Sequence, residues 1–323
     1  MSVLVYTQNW DGKFKKSSFE LVSYASEVAT MLGTSLSALS IGSVDENELK
    51  KLGNYGAGKI LKVNNEYCKI LDNQVYTDII SQIALKENAN VIVLSNNNEG
   101  KAIAPRLSVR LKAGMGSGVS KLPVNLNPFT VYKRTFSGNA YAHVVINSDI
   151  RILTLAQNSF DLLETANDSI IENINIPVDG SLLKTEVKDV QKQAGKILLT
   201  DADIVVSGGR GMKSPDNWGP LVELAGLLGA ATACSRPVSD EGWRPHEEHT
   251  GQTGKIIAPN VYIAVGISGA TQHLAGISSS KYIVAINSDK DAPIFDAAQY
   301  GIVGDAMKVL PKLVEAVKVL KDK

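Results

Sequence analysis

The first 120 residues alternate short apolar runs with longer stretches in which apolar residues recur on one face. The longer stretches have helical spacing, beginning with SSFELVSYASEVATMLG and continuing near residues 76–88 and 99–112. The short runs, rich in branched side chains, are VLVYTQ, LSALSIG, KILKV and NVIVLS. Strands that alternate with helices of this length are typical of parallel sheets. We therefore predict a doubly wound α/β layer for the first half of the chain.

The pattern changes to a period of two between Phe129 and Ala156. The alternating segments are separated by the turn sequences SGN and NSD, and they read FTVYKRTF, GNAYAHVVI and DIRILTLA. This spacing predicts a β-meander that lies against the sheet or extends it. Residues 160–200 then become polar and lose clear periodicity. We place a domain boundary in this region, which divides the chain into residues 1–190 and 191–323.

The second half returns to the α/β rhythm. Helices are predicted over roughly 216–229 and from about 270. The predicted strands lie in DIVVSGGRG, AATACS, VYIAVG, YIVAINSD and YGIVGD. Asp305 is expected to cap a short turn, and Pro311 to lie in the first turn of a separate final helix, where proline removes no helical hydrogen bond.

Composition and charge narrow the possible partners. The chain has 33 basic and 33 acidic residues in 323, without a long block of either sign. A balanced surface does not favour nucleic acid or an anionic membrane as a partner. The pattern contains neither a signal sequence nor an apolar run of about 18 residues, so we expect a cytoplasmic protein without direct membrane insertion. Cys68 and Cys234 are isolated and are expected to be core thiols.

Two predicted junctions at the ends of strands contain arginine. Ligands of open parallel sheets collect beyond the carboxyl ends of the strands. In VVSGGRG the glycines would let the backbone approach a ligand, and Arg210 would offer a bidentate cation to a phosphate. In ACSRPV, Pro237 disfavours helical continuation at Arg236, which would hold that arginine at the strand end. The alternative for each is a solvated arginine in a turn.

Two further junctions surround the predicted strand VYIAVG. The hydroxyls and amides of HTGQTGK are suited to a polar heterocycle, although the segment lacks the spacing of a phosphate-binding P-loop and could be a plain turn. In VGISGATQHLAG, the glycines allow a tight turn, and a helix starting around Ser268 would present free amides to an anion. His246 and His249 invite a metal interpretation, but no third ligand is evident. No spacing indicates a catalytic triad.

Several segments of the second half occur together and in order. They are SGGRG, the Ser235–Arg236 pair, GQTGK, AVGISGATQHLAG, YIVAIN, DAPIF and YGIVGD. As a set they resemble the alpha subunits of electron transfer flavoproteins, which are heterodimeric FAD carriers. The first half is similar to these subunits in length and general pattern. The resemblance implies an N-terminal adenine-nucleotide-hydrolase-like parallel sheet that faces the partner, and a doubly wound C-terminal domain that binds FAD.

The resemblance also implies which residues contact FAD. They are Arg210, Ser235, Arg236, Thr250, Gly251, Gln252, Thr253, Ser268, Gly269, Ala270, Thr271, Gln272, His273, Asn287, Asp305 and Ala306. The GISGATQH segment would meet the pyrophosphate, and Asn287 and Asp305 would serve the adenosine end. Arg236, Thr253 and His273 would lie around the isoalloxazine ring and tune its potential.

A simple electrostatic argument supports a role for Arg236. Reduction by one electron places negative charge over the N1–C2=O edge of a flavin, so a nearby fixed cation favours it. At about 5 Å and an effective dielectric near 20, the Coulomb energy is on the order of 3 kcal/mol. This corresponds to roughly 0.1 V, at about 2.3 kcal/mol per 100 mV.

The resemblance implies an electron carrier rather than an enzyme. Such a subunit pairs with a beta subunit, accepts electrons from acyl-CoA dehydrogenases of fatty acid β-oxidation or from other flavin dehydrogenases, and passes them to a quinone oxidoreductase of the respiratory chain. The alternative within the family is a bifurcating form that uses NADH and a second FAD on the beta subunit. A pyridine-nucleotide-binding enzyme and a purely structural subunit are the alternatives outside it.

Overall fold

A computed structural model describes residues 1–165, 168–183, 185–190 and 197–321. The chain divides into two compact units, Met1–Thr135 with Asn139–Gln191 and Phe136–Gly138 with Lys192–Lys323. The predicted domain boundary, between residues 190 and 191, coincides with the start of residues 191–196, which lie outside the described residues. In the described part of the chain, no helix combines the length and the apolar character needed to cross a membrane.

Unit 1 is built on one large sheet with four helices among its described residues. Its strands are β1 (Ser2–Tyr6), β2 (Asn9–Trp10), β3 (Lys13–Phe14), β4 (Ser35–Ile41), β5 (Lys59–Val63), β6 (Ala89–Ser95), β7 (Gly114–Val119), β8 (Asn125–Leu126), β9 (Phe129–Thr135), β10 (Ala140–Val145), β11 (Arg151–Leu155) and β12 (Ile170–Asn173). Its helices are α1 (Lys16–Leu32), α2 (Glu46–Lys50), α3 (Asn73–Lys86) and α4 (Asn98–Leu111). The strand order is β10-β9-β7-β11-β6-β1-β4-β5-β12, and the run from β7 to β12 is parallel.

The parallel strands are apolar on both faces because helices cover both faces. Val3 and Val5 of β1 belong to one buried cluster, whereas Leu4 and Tyr6 of the same strand belong to the other. Successive side chains of a strand point to opposite faces, so a strand between two helical layers reads as a continuous apolar run. The predicted α/β layer is confirmed.

The predicted β-meander is wrong in its third strand. β9 and β10 form an antiparallel hairpin, but β11 leaves it and pairs in parallel with β6 and β7. Residues 152–155 of β11 are all buried, as befits a central strand. Period-two spacing predicts a strand but not its neighbour, and β7, whose sequence is GMGSGV, was not predicted because glycines hide its apolar pattern. β12, inside the polar stretch, was not predicted either.

Unit 2 is a five-stranded parallel sheet. Its strands are β13 (Ile204–Gly208), β14 (Ala231–Cys234), β15 (Val261–Val265), β16 (Tyr282–Asn287) and β17 (Tyr300–Val303). Its helices are α5 (Gly219–Leu228), α6 (Arg236–Asp240), α7 (Thr271–Ile277), α8 (Ile294–Ala297) and α9 (Ala306–Lys321). The order β14-β13-β15-β16-β17 reverses direction between β13 and β15, and buried clusters cover both faces. The predicted doubly wound second domain is confirmed.

The last helix differs from its prediction. Pro311 lies inside the continuous helix α9 rather than in the first turn of a separate one. Leu310 and Val314, on either side of the proline, are buried against the sheet, and this packing holds the helix together despite one lost hydrogen bond. Asp305 caps this long helix, since its Oδ1 accepts a hydrogen bond of 3.0 Å from the Met307 N–H.

Candidate functional site

The loops after β13, β14, β15 and β16 converge at the carboxyl edge of the second sheet. They enclose a cleft of about 500 Å³ next to the point where the strand order reverses. This is where open α/β sheets bind their ligands. The cleft is lined by Arg210, Gly211, Ser235, Arg236, Pro237, His249, Thr250, Gly251, Gln252, Thr253, Gly266, Ile267, Ser268, Ala270, Gln272, His273, Asn287, Asp289, Ala292 and Pro293.

The glycines after β13 serve loop packing. The Gly211 N–H donates to the Gly266 carbonyl at 3.0 Å. A Cβ atom on Gly209 would lie 2.2 Å from the Gly266 oxygen, and one on Gly211 would lie 2.6 Å from the Gly266 Cα. At Gly208 the space is filled by Trp218. Gly211 also lines the cleft, so the expectation that these glycines let the backbone approach a ligand stays a prediction.

Two guanidinium groups reach the cleft from different loops. Arg210 is exposed at the end of β13 and makes no ion pair with any residue that the structure describes. Arg236 is 64% exposed, and its Nε lies 3.2 Å from Oδ2 of Asp240. The two cations give the cleft an affinity for anionic groups such as phosphate.

Arg236 does not end a strand as predicted. β14 ends at Cys234, and Arg236 is the first residue of α6, with Pro237 in the first turn. Proline is tolerated there because its missing N–H would have no helical partner. The Ser235 carbonyl accepts hydrogen bonds from the N–H groups of Val238 and Ser239, and these bonds hold the short helix in place.

The HTGQTGK loop reaches the cleft because its first residues pair with the end of β14, through a parallel bridge between His249 and Cys234. The Thr250 N–H donates to the Cys234 carbonyl at 3.0 Å, and the Gln252 N–H donates to the Gln272 carbonyl at 2.7 Å. A Cβ atom on Gly276 of α7 would lie only 2.5 Å from the Gly251 Cα. The loop before β15 and the helix after it are thus in direct contact and form one wall.

The segment after β15 differs slightly from its prediction. Helix α7 begins at Thr271 rather than around Ser268. Ser268, Ala270 and Gln272 line the cleft, but Gly269 and Thr271 do not. Gly269 has a φ of +88°, and a Cβ there would lie 2.3 Å from the Ile294 nitrogen, so this glycine closes the loop against α8.

The remaining predicted residues divide between cleft and surface. Asn287 lines the cleft, and its Nδ2 donates to the Ile267 carbonyl at 2.9 Å. Asp305 and Ala306 are not among the lining residues. Asp305 instead faces Lys213, at 3.0 Å, and the hydrogen bond from Lys213 lowers the pKa of the Asp305 carboxyl. The cleft is therefore lined by twelve of the sixteen predicted residues.

Two buried imidazoles form part of the cleft wall. His249 is 3% exposed and His273 is 7% exposed, and in each ring Nδ1 is buried without a hydrogen-bond partner among the residues described. Burial lowers the pKa of His273 to about 4; the nearby Thr250 backbone partly opposes this and nearby His249 adds to it. Burial also lowers the pKa of His249, with a further contribution from His246. Both rings are therefore neutral near pH 7.

Tyr262 is a residue of this site that sequence reasoning missed. It lies beneath the cleft in β15, fully buried, and its hydroxyl is 2.9 Å from Nε2 of His273. In the sequence it cannot be distinguished from the other core positions of the run VYIAV. His249 was weighed only as a metal ligand, and no cluster of three or more metal-binding side chains exists among the described residues. Pro293 belongs to the segment DAPIF and Asp289 lies two residues before it, so this segment was the available signal for both.

The lining residues suit a ligand that carries both phosphate and a polar ring. Arg210 and Arg236 provide positive charge, and the unpartnered Nδ1 of His273 provides a polar atom that the protein leaves unsatisfied. Buried polar groups normally have partners, so such an atom beside a cleft indicates a ligand contact. The volume falls within the roughly 300–1,000 Å³ usual for small-molecule sites.

Comparisons with known proteins agree with this geometry. Residues 3–178 match the electron transfer flavoprotein domain, and residues 198–278 match the electron transfer flavoprotein FAD-binding domain. The electron transfer flavoprotein subunit alpha of Thermoanaerobacterium thermosaccharolyticum is 34% identical, over 99% of this chain and 98% of that one. That of Bacillus subtilis is 35% identical, over 98% of both chains. The acryloyl-CoA reductase electron transfer subunit beta of Anaerotignum propionicum is 30% identical, over 98% of this chain and 95% of that one.

Proposed function

Because the chain belongs to the alpha-subunit family of electron transfer flavoproteins and carries its FAD-binding domain, we propose that it holds FAD in the cleft of unit 2 and works as an electron carrier. The observation that carries the proposal is the convergence of twelve predicted contact residues on one cleft at the reversal point of the sheet. The other four remain proposed contacts: Gly269 and Thr271 lie between lining residues in the sequence, whereas Asp305 and Ala306 follow β17.

The residues of the cleft divide into a phosphate part and a ring part. We assign Arg210 and the segment from Ser268 to Gln272 to the phosphates, and Asn287 to the adenosine end. Arg236, Thr253 and His273 are assigned to the isoalloxazine ring. When bound, FAD supplies the group that accepts and releases electrons, whereas the protein binds it, orients it and sets its electrostatic surroundings.

Arg236 acts on the ring through its charge. The guanidinium is 64% exposed and shares its field with Asp240, so its effect on the reduced ring falls below the full Coulomb energy of about 3 kcal/mol. A cation near the ring still favours the electron-rich state. We assign Arg236 as the main adjustable charge of the site, with neutral His273 as a hydrogen-bond donor.

The proposal includes partners. Relatives named as alpha subunits support pairing with a beta subunit, and we propose that residues 1–190 face that partner. Flavin dehydrogenases such as acyl-CoA dehydrogenases are the proposed donors, and a quinone oxidoreductase is the proposed acceptor, in the cytoplasm. The chain itself would catalyse no reaction.

A second candidate is a bifurcating carrier with a second FAD on the beta subunit. One relative is named as an electron transfer subunit of acryloyl-CoA reductase, a name that favours electron delivery to an acyl-CoA enzyme rather than collection from one. The flavin content of the complex separates the two candidates, because the bifurcating form requires two FAD per heterodimer and oxidation of NADH.

The decisive experiment is co-expression with an electron transfer flavoprotein beta subunit from the same organism, followed by an absorption spectrum and a stepwise reductive titration. We expect a yellow complex with FAD bound that accepts electrons in discrete steps. A colourless complex that fails to take up added FAD would contradict the carrier proposal. The double variant Arg210→Ala with Ser268→Ala should reduce the FAD content, whereas Arg106→Ala, an exposed arginine of unit 1, should not.

A further inference from the structure

Tyr262 is buried with its ring in an apolar cluster and its hydroxyl among the polar side chains of Ser207, Thr250 and His273. Its side chain is fully buried in a cluster that includes Val205, Ala264 and Ile277. Phenylalanine would make the same apolar contacts, so packing alone does not explain the hydroxyl. That hydroxyl lies 2.9 Å from Nε2 of His273, a residue of the cleft wall.

The Tyr262 hydroxyl is a proton donor at ordinary pH. Burial raises the pKa of Tyr262, and hydrogen bonding with the Ser207 and Thr250 side chains lowers it only in part. A protonated phenol has one O–H to give. The Thr250 hydroxyl donates to the Cys234 carbonyl at 3.2 Å, and an imidazole nitrogen is a better acceptor than a neutral hydroxyl. On this ground we take Nε2 of His273 as the acceptor of the Tyr262 O–H.

Donation from Tyr262 decides where His273 carries its proton. A neutral imidazole has one N–H and one acceptor nitrogen, and the partner of one nitrogen determines the state of the other. If Nε2 accepts from Tyr262, Nδ1 carries the proton. Nδ1 of His273 is buried and has no hydrogen-bond partner among the residues that the structure describes.

We propose that Tyr262 is a positioning residue that fixes His273 as the Nδ1–H tautomer, so that a neutral N–H donor stands in the cleft wall for an oxygen of the cofactor ring. This inference rests on the proposed function for the identity of the ligand, but not for the tautomer. Tyr262 contacts His273 and has no place among the residues that line the cleft. It acts on the ligand only through the imidazole.

The first test needs no flavin. The full chain is labelled with ¹⁵N at histidine and studied by NMR without FAD near pH 7, and the signals of His273 are assigned by their loss in His273→Gln. We expect the Nδ1–H tautomer, with a scalar coupling from the Tyr262 hydroxyl proton to Nε2. A protonated Nε2, or a doubly protonated ring, would overturn the proposal.

The second test uses Tyr262→Phe, which removes only the hydroxyl. We expect the His273 signals to change to a mixture of tautomers or to Nε2–H, and unchanged signals would overturn the proposal. Tyr282→Phe is the matched control, because Tyr282 lies on the neighbouring strand β16 but is 51% exposed. If Tyr262→Phe does not fold, the scalar coupling between the Tyr262 hydroxyl proton and Nε2 of His273 in the parent protein decides whether Tyr262 is the donor.

The third test uses the flavin-loaded heterodimer. Tyr262→Phe should lower the midpoint potential of the bound FAD and raise the Kd for FAD several-fold, because the donor to the reduced ring is lost in part of the molecules. Tyr282→Phe should change neither value. A shifted tautomer with an unchanged potential would overturn the link to the cofactor. A heterodimer that binds no FAD would contradict the proposed function while leaving the tautomer measurement valid.

Discussion

His249 and His273 are both buried in the wall of the cleft, and burial lowers the pKa of each. The groups that face them are Tyr262, Thr250, His246 and the exposed pair of Arg236 and Asp240. With neutral imidazoles, the charge of the cleft near pH 7 comes from its arginines and from Asp289. At the level of single residues, the buried histidines are thus neutral and act by hydrogen bonding, whereas the exposed arginines act by their charge.

The lowered pKa of His273 predicts a loss of stability in acid. Between its folded pKa of about 4 and its unfolded value near 6.5, the unfolded chain binds the extra proton, so stability falls as the pH falls. This group alone should remove about 2 kcal/mol of unfolding free energy between about pH 7 and pH 5. Urea denaturation of the parent and of His273→Gln measures the difference. Equal losses in both proteins would show that His273 is not responsible.

A second prediction concerns Arg236. Arg236→Ala should lower the midpoint potential of bound FAD by less than about 0.1 V. We expect the substitution to affect the potential more strongly than the FAD content. Asp240→Ala should raise the potential, because it removes the carboxylate 3.2 Å from the Arg236 Nε. Potentiometric titration of both variants is the measurement. If Arg236→Ala titrates like the parent, Arg236 is not the adjustable charge of the site.

At the level of elements, close backbone contacts hold the cleft together. The loop after β13 packs on the loop after β15 through Gly209, Gly211 and Gly266, and the HTGQTGK loop packs on α7 through Gly251 and Gly276. Each contact leaves no room for a Cβ atom. The glycines determine how closely the loops approach, and the approach determines where the arginines and His273 stand.

Two helical glycines allow a matched comparison. In Gly276→Ala the new Cβ would lie 2.5 Å from the Gly251 Cα, so we expect a loss of about 1–3 kcal/mol in stability and reduced FAD retention. In Gly226→Ala of α5 the new Cβ meets nothing within 4 Å, so we expect a gain of about 0.5–1 kcal/mol. Urea denaturation and the FAD content after gel filtration test both. A neutral Gly276→Ala would mean that the loop can move away without cost.

At the level of the whole molecule, each of the two units has its own sheet and its own buried clusters. Two clusters cover the faces of the ten-stranded sheet in unit 1, and two others cover those of the five-stranded sheet in unit 2. A unit with its own core can gain stability without changing its neighbour. The proposed FAD site lies entirely within unit 2.

Binding of FAD should therefore protect one unit from hydrogen exchange. With FAD at about 100 times its Kd, amides of residues 197–321 that exchange by global unfolding of the unit should gain about 2.7 kcal/mol of protection. Amides of unit 1 should be unchanged. Exchange measured by mass spectrometry, with and without FAD, tests this. Equal protection in both units would contradict independent stability.

The sequence by itself determined the α/β class, the doubly wound second domain and the loops that carry the site. Parallel strands buried on both faces leave an unmistakable apolar run, and the arginines and glycines that follow such runs mark their carboxyl ends. These features depend on residues that are near one another in the chain. Residues that belong to one loop, such as those of HTGQTGK, can therefore be predicted as a group from the sequence.

Only the tertiary structure decided which residues meet across the chain. The parallel pairing of β11, the continuity of α9 through Pro311 and the packing role of the glycines after β13 depend on neighbours that local spacing does not encode. Tyr262 is the clearest example, because a buried tyrosine looks like any core residue until its hydroxyl is seen beside His273. The physical reason is that burial and hydrogen bonding are properties of assembled surfaces, and they arise only after the strands and helices have packed together.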